Sequence, residues 1–376
     1  MTEDGSNGSG RFVVGAVRSF ATGTPCPELP GDLGWLDVAR RAHVVPPVIS
    51  AVRAAGATLG PALRELRMEG AATQLRACAE LGVVARCLDA SSVRWVVVKG
   101  PALGEAVYRV TASRSYGDLD VLVHPEDLGG ALDTLVAAGF LVMDRNWDLV
   151  ARSGRGEIAV LTPSGYVLDL HWHPVNSRPV RSQLGIDVRG MIARRTVVDV
   201  AGVQAPTLDA LDTVVYVALH AVLSGGHQLK WMLDLHQAVQ RLGSGADQLG
   251  ARAREHGLGL VVGVGLDHAS RWVDPALAAH ASAVTPRSSW TALCEQVSER
   301  CPPLGVAPGR RTGRAVFSST RRGSATSMTA ALGAAAVAQR DRVKWLDRSV
   351  PVQVLRREGG TAADRARWIE LAAASS

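Results

Sequence analysis

Asp118 and Asp120 are separated by one residue in the run DLDVLV. The alternation of that run predicts a strand, on which residues i and i+2 share a face. Both carboxylates then point one way while Leu119 and Val121 point the other. Like charges held so close repel unless a cation lies between them, and hard divalent ions such as Mg2+ are bound by such oxygens. A third acid, Asp169, sits between Leu168 and Leu170 in a second strand-like run, YVLDLHW. If the two strands are neighbours, three carboxylates converge. Two metal ions about 3.5–4 Å apart, bridged by carboxylates, stabilise both the attacking and the leaving oxygen of an in-line displacement at phosphorus. The chemistry this predicts is phosphoryl or nucleotidyl transfer. The aspartate pair by itself is more often the mark of a solvated strand face; the third acid, the apolar flanks of both strands and the turn described next are what favour a site.

That turn is Lys99-Gly100-Pro101, which follows the β-branched run RWVVV and precedes the first acids by one predicted helix. Gly100 lets the backbone approach a phosphate, and the helix starting at Pro101 offers free amides and a positive dipole end. Only three of the 41 basic residues are lysines, Lys99, Lys230 and Lys344, so a lysine at this turn favours a phosphate contact. Arg114, four residues before Asp118, has two readings: a bidentate clamp on phosphate oxygens, or an ion pair that holds the acids in shape. Lys230 and Asp234 lie one helical turn apart, the spacing of an ordinary surface ion pair. For His171 and His173, alternating after Asp169, a zinc site is the less favoured reading, since no cysteine or further histidine signature accompanies them.

These residues need elements to hold them. The chain has 376 residues, 47% hydrophobic and 20% charged, which is the composition of a globular protein of about two domains and not of a disordered, collagen-like or disulfide-dense chain. No apolar run approaches the roughly 20 residues that cross a bilayer. The first ten residues lack the pattern of a secretory signal, and the five cysteines have no metal or redox spacing, so a cytoplasmic protein with reduced thiols is expected. Helical periodicity runs from about Trp35 to Val52 and from Pro61 to Leu88, then strand and helix signals alternate to Trp172. From Thr207, read as an N-cap, the pattern is helical again. Six arginines and no acid lie between Cys301 and Arg340, and Arg310, Arg311, Arg314, Arg321 and Arg322 fall in or beside a Pro-, Gly- and Ser-rich stretch that predicts a mobile loop.

The stretches VVVKGPALGEAVYRVTASRSYGDLDVLV, LDLHW and LKWMLDLHQAV together resemble an uncharacterised bacterial nucleotidyltransferase family of the polymerase-beta-like superfamily. The matching positions are Lys99-Gly100, Tyr108, Arg114, Asp118 with Asp120, and Asp169 before His171-Trp172. The resemblance implies an α/β (α+β) fold: a small mixed sheet with flanking helices, N-terminal helices and a C-terminal helical domain. The expected order is a flexible lead over 1–30, a helical region over 31–90, a catalytic domain over 91–206, and a helical domain over 207–376 with a basic loop over 301–323. It further implies two Mg2+ ions held by Asp118, Asp120 and Asp169, with Asp169 also serving as general base. A nucleoside triphosphate, expected to be ATP, would contact Lys99, Gly100, Arg114 and Lys230, with Asp234 facing a structural partner. The expected reaction moves a nucleoside monophosphate to a hydroxyl-type acceptor on a small molecule, peptide or protein. A catalytically silent nucleotide binder on the same fold and an RNA-end-modifying enzyme are the alternatives. Nucleic acid is not the favoured partner, because the arginine stretch carries one interleaved aromatic, Phe317, and no binding motif.

Overall fold

The computed structural model describes residues 3–243, 245–305, 311–343 and 352–374; Arg310 and Lys344 lie outside them. The chain forms two compact units, each built from separated segments. Described residues within 73–106, 116–209 and 338–376 make a mixed α/β unit, and those within 1–72, 107–115 and 210–337 make a helical unit. The α/β class with flanking helices is as expected, but the segments do not follow one another as four blocks. The long helix Pro61–Ala90 contributes to both units, and the C-terminal helix Ala362–Ala374 returns to the α/β unit.

The sheet has seven strands: β1 (Trp95–Val97), β2 (Asp118–Val123), β3 (Leu141–Val142), β4 (Glu157–Leu161), β5 (Val167–His171), β6 (Thr196–Val200) and β7 (Val203–Thr207). Their order is β3-β4-β5-β2-β1-β7-β6. β2 runs parallel to β5 and β1 to β7, and the other neighbours are antiparallel. β6 and β7 join through Ala201-Gly202, both at positive φ, the geometry of a tight two-residue hairpin. Thr207 closes β7 instead of capping a helix. Its hydroxyl donates to the Val97 carbonyl at 2.8 Å, and the next helix is Ala210–Leu223.

One face of this sheet is its core. Leu119, Val121, Val123, Ile158, Val160, Leu168, Leu170 and Trp172 are buried with Ala77, Leu81, Val84 and Leu88 of the long helix and Leu128, Leu132 and Leu135 of the helix Leu128–Ala137. Each fully buried aliphatic side chain of this kind contributes about 1.5–3 kcal/mol. Strand alternation therefore commits the other face to Asp118, Asp120 and Asp169.

In the helical unit, the expected flexible lead contains the helix Glu3–Thr22, because Phe12, Val13, Ala16 and Val17 recur at helical spacing and are buried. The predicted helical stretch from Trp35 to Val52 is two helices, Gly34–Arg41 and Val45–Ala54, parted near His43, which has a left-handed backbone. The helices Ala210–Leu223, Leu229–Leu242 and Gly259–Trp272 pack on one another. A side chain at Gly265 would press on Val222, Ala218 and Leu235, so glycine sets how near these helices come. The arginine stretch also differs from the predicted loop. Arg311–Ser318 is a helix, and Phe317 packs against His268 with ring centroids 4.5 Å apart. One buried aromatic anchors a segment whose composition otherwise signals only turns.

Asp234, at the centre of the helix Leu229–Leu242, is 2% exposed. Arg114 donates to it from Nε at 2.8 Å and from Nη2 at 3.0 Å, and the Tyr108 hydroxyl donates to Oδ1 at 2.7 Å. Burial, reinforced by Asp234, holds the Tyr108 hydroxyl well above its ordinary pKa. Asp234, one turn from Lys230, is buried and not a surface acid, and the Lys230 ammonium donates to the Ser115 carbonyl at 3.1 Å. Removing one partner of a buried ion pair leaves the other charge uncompensated. Arg114→Met is therefore expected to cost about 3–5 kcal/mol in urea unfolding, and Tyr108→Phe about 1–3 kcal/mol. A loss below about 1 kcal/mol for Arg114→Met would remove this pair from the determinants of the fold.

Candidate active site

The parallel register of β2 and β5 sets Asp118 beside Val167, Asp120 beside Asp169 and Leu122 beside His171. On the far side of β5, β4 sets Ala159 beside Asp169 and Glu157 beside His171. Paired residues share a face, so Asp118, Asp120, Asp169, His171 and Glu157 all project from the side opposite the apolar core.

β1 adds the cation. Val98 follows that strand and donates its amide to the Asp120 carbonyl at 3.0 Å, which carries Lys99 to the acidic edge. Lys99 Nζ lies 2.7 Å from Asp120 Oδ1. Gly100 has φ +60, and a Cβ there would lie 3.4 Å from the Asp118 carbonyl oxygen. Glycine thus supplies the left-handed turn that starts the helix Gly100–Val107 close against the first acid.

His171 binds Asp120 from the other side, Nε2 to Oδ1 at 3.1 Å. Its Nδ1 lies 3.2 Å from Glu157 Oε2, near enough to attract but not placed to hydrogen-bond. Glu157 is held in turn by Asn176, which donates to Oε1 at 2.6 Å. Glu157 on β4, His171 on β5, Asp120 on β2 and Lys99 just beyond β1 thus form a row in which acids alternate with basic side chains.

This row separates the behaviour of two neighbouring carboxyls. Burial alone would raise the Asp120 pKa, but Lys99 and His171 outweigh it and hold the group well below the usual carboxylate range. Asp169 has no such partner to outweigh its burial. Burial, with Asp120, Glu157 and Asp118 adding to it, pushes Asp169 up to about 7 against the pull of His171. Burial lowers the His171 pKa, but Asp120 and Glu157 outweigh it and the net shift is upward.

Asp120, Asp169 and His171 each offer a ligand atom, and these atoms lie within 4.8 Å of one another, the one such group among the described residues. Two carboxylates and an imidazole are a donor set that suits a divalent cation. Asp118 stands two residues along β2 on the same face, outside that tight group. His173 also lies outside it, because β5 ends at His171. Its Nδ1 accepts from the Val175 amide at 3.0 Å, and burial with nearby Arg181 pushes its pKa down to about 3.

The sequence-predicted residues thus fall into two sets. Lys99, Gly100, Asp118, Asp120 and Asp169 gather on the sheet. Arg114 and Lys230 belong to the helical unit, where Arg114 pairs with Asp234, the structural partner role expected of that acid. His171 and Glu157 entered the site without being predicted for it. The alternation Asp169-x-His171 carried the signal for His171; Glu157 had none, since only its register on β4 brings it in.

Residues 34–274, more than half of the chain, match the family described as uncharacterised nucleotidyltransferase. Comparison with curated proteins finds no match. Among the described residues, no helix is long and apolar enough to cross a membrane. With paired acids on one strand, a third on its parallel neighbour and a Lys-Gly turn at their edge, the chain belongs to this nucleotidyltransferase family, whose general chemistry is nucleotidyl transfer from a nucleoside triphosphate.

Proposed function

We propose that the protein moves a nucleoside monophosphate from ATP to a hydroxyl group of a small molecule, peptide or protein and releases pyrophosphate. The observation that carries this reading is the β2–β5 register, which seats Asp169 beside Asp120 and in line with Asp118. Asp118, Asp120 and Asp169 would hold two Mg2+ ions, which when bound supply positive charge to the attacking and leaving oxygens at phosphorus.

The chain's own groups account for the remaining tasks. Lys99 keeps a positive charge at the acidic edge and is assigned to the β- and γ-phosphates, beside the free amides that open the helix Gly100–Val107. His171 and Lys99 fix Asp120 from both sides, so its carboxylate is oriented in advance. Asp169 receives the proton of the acceptor hydroxyl. The RNA-directed alternative has less support, because Arg321 of the acid-free stretch is buried and donates to the carbonyls of Ser318 and Thr320. Incubation with each α-labelled nucleoside triphosphate, Mg2+ and a cell extract, followed by mass identification of the labelled product, tests the reading. Transfer of label from ATP with release of pyrophosphate is the expected result, and no transfer from any nucleotide would overturn it.

Asp118→Asn, Asp120→Asn and Asp169→Asn should each lower pyrophosphate release by about 10²–10⁴-fold; near-normal turnover in Asp120→Asn would remove the assignment. Without metal, the same substitutions should part company in thermal unfolding. Asp169→Asn relieves repulsion and should raise the melting temperature, whereas Asp120→Asn strips Lys99 and His171 of their shared partner and should lower it. Equal shifts in one direction would contradict the charge row. Lys99→Ala should weaken ATP more than AMP in calorimetric titration, and equal weakening would confine Lys99 to holding Asp120.

A further inference from the structure

The arginine-rich stretch ends at Arg322, and this side chain has a definite seat in the helical unit. Its guanidinium lies against the backbone of Gly257, with Nε 2.6 Å from where a Cβ on that residue would stand. Arg254 lies over the other glycine of the same turn, its Cγ 3.7 Å from the Cβ position of Gly259. The Arg322 guanidinium thus sits on the turn Gly257-Leu258-Gly259, while the Arg254 stem passes it and its Nη1 lies 3.2 Å from the Cβ position of Gly250. Neither the Arg254 nor the Arg322 guanidinium forms an ion pair or hydrogen bond with a described residue.

Both arginines line one cavity of about 590 Å³, together with Arg287 and Ser324, and no acid is among the described residues lining it. Arg287 has an acidic partner of its own, Glu295, at 3.4 Å. Two like charges brought into one concavity without an acid repel each other, and an oxyanion that accepts from both relieves the repulsion. The first turn of the helix Gly259–Trp272 has no side-chain cap and adds backbone amides to what the guanidiniums offer. The volume is that of a small-molecule site.

We propose that this cavity binds the phosphate group of a small polar phosphate monoester through Arg254 and Arg322. The site belongs wholly to the helical unit and does not depend on the nucleotide reading of the sheet.

The test is calorimetric titration of the full chain with inorganic phosphate and, separately, with glycerol phosphate. Wild type and Lys99→Ala should bind glycerol phosphate alike, since Lys99 serves the other unit. Arg254→Gln/Arg322→Gln should bind it about tenfold or more weakly, the scale of losing charge-assisted hydrogen bonds. Tighter binding of glycerol phosphate than of inorganic phosphate identifies the monoester as the ligand class, and the reverse order overturns that part. Equal affinity in the double variant and wild type, or no binding of either probe by wild type, overturns the site. Both substitutions lie on exposed side chains, so circular dichroism should show an unchanged fold.

Discussion

The oxygen atom Oδ1 of Asp120 receives Lys99 from one side and His171 from the other. Most of what the α/β unit does with charge follows from that arrangement. A buried carboxylate is costly unless it is paired, and here its partners come from the strands on either side, so the sheet has to close in this order for Asp120 to be tolerated. Among the described residues, the same pairing leaves Asp169, its register neighbour, with only the pull of His171 against its burial. One carboxyl is held ionised and the next is pushed toward neutrality, a contrast that arises from position and not from residue type.

The sheet can carry such a face because its other face is apolar along β2, β4 and β5. Leu119, Val121, Leu168 and Leu170 alternate with the acids and are fully buried, so a one-residue slip of either β2 or β5 would exchange core for charge. Register is thereby fixed by the hydrophobic effect, and the positions of the acids are a consequence of it. Gly100 contributes at the edge, where its left-handed backbone brings the Lys-Gly turn against Asp118. In the helical unit, Arg114, Tyr108 and Asp234 form a comparable buried pairing. It joins Tyr108 and Arg114, which lie before the acid-bearing strand, to a helix more than a hundred residues later.

Much of this was legible in the sequence, and the reasons for what was not are physical. Alternation is a local property, so the faces of β2 and β5 could be read from DLDVLV and YVLDLHW, whereas the convergence of Asp120 with Asp169 followed only on the condition that the two strands pair. The Lys-Gly turn was legible from composition, since lysine is rare in this chain. Register between strands is not local, so Glu157 and the role of His171 appeared only when β4 and β5 were paired. Arg114 had two sequence readings and took a partner outside the strand acids, because no spacing rule relates it to Asp234. The helix Arg311–Ser318 was hidden for the opposite reason: a single aromatic, Phe317, orders a stretch whose other residues are typical of loops. The division into two units was also out of reach, since each gathers segments far apart in sequence.

The central claim is that the face shared by Asp118, Asp120 and Asp169 is where a divalent cation and a nucleotide triphosphate meet. Electron paramagnetic resonance of Mn2+ added to the protein with ATP reports this directly. The account predicts bound Mn2+ with wild type and loss of that signal with Asp120→Asn, while Arg254→Gln/Arg322→Gln binds as wild type does. Equal Mn2+ binding by wild type and Asp120→Asn in the presence of ATP would contradict it.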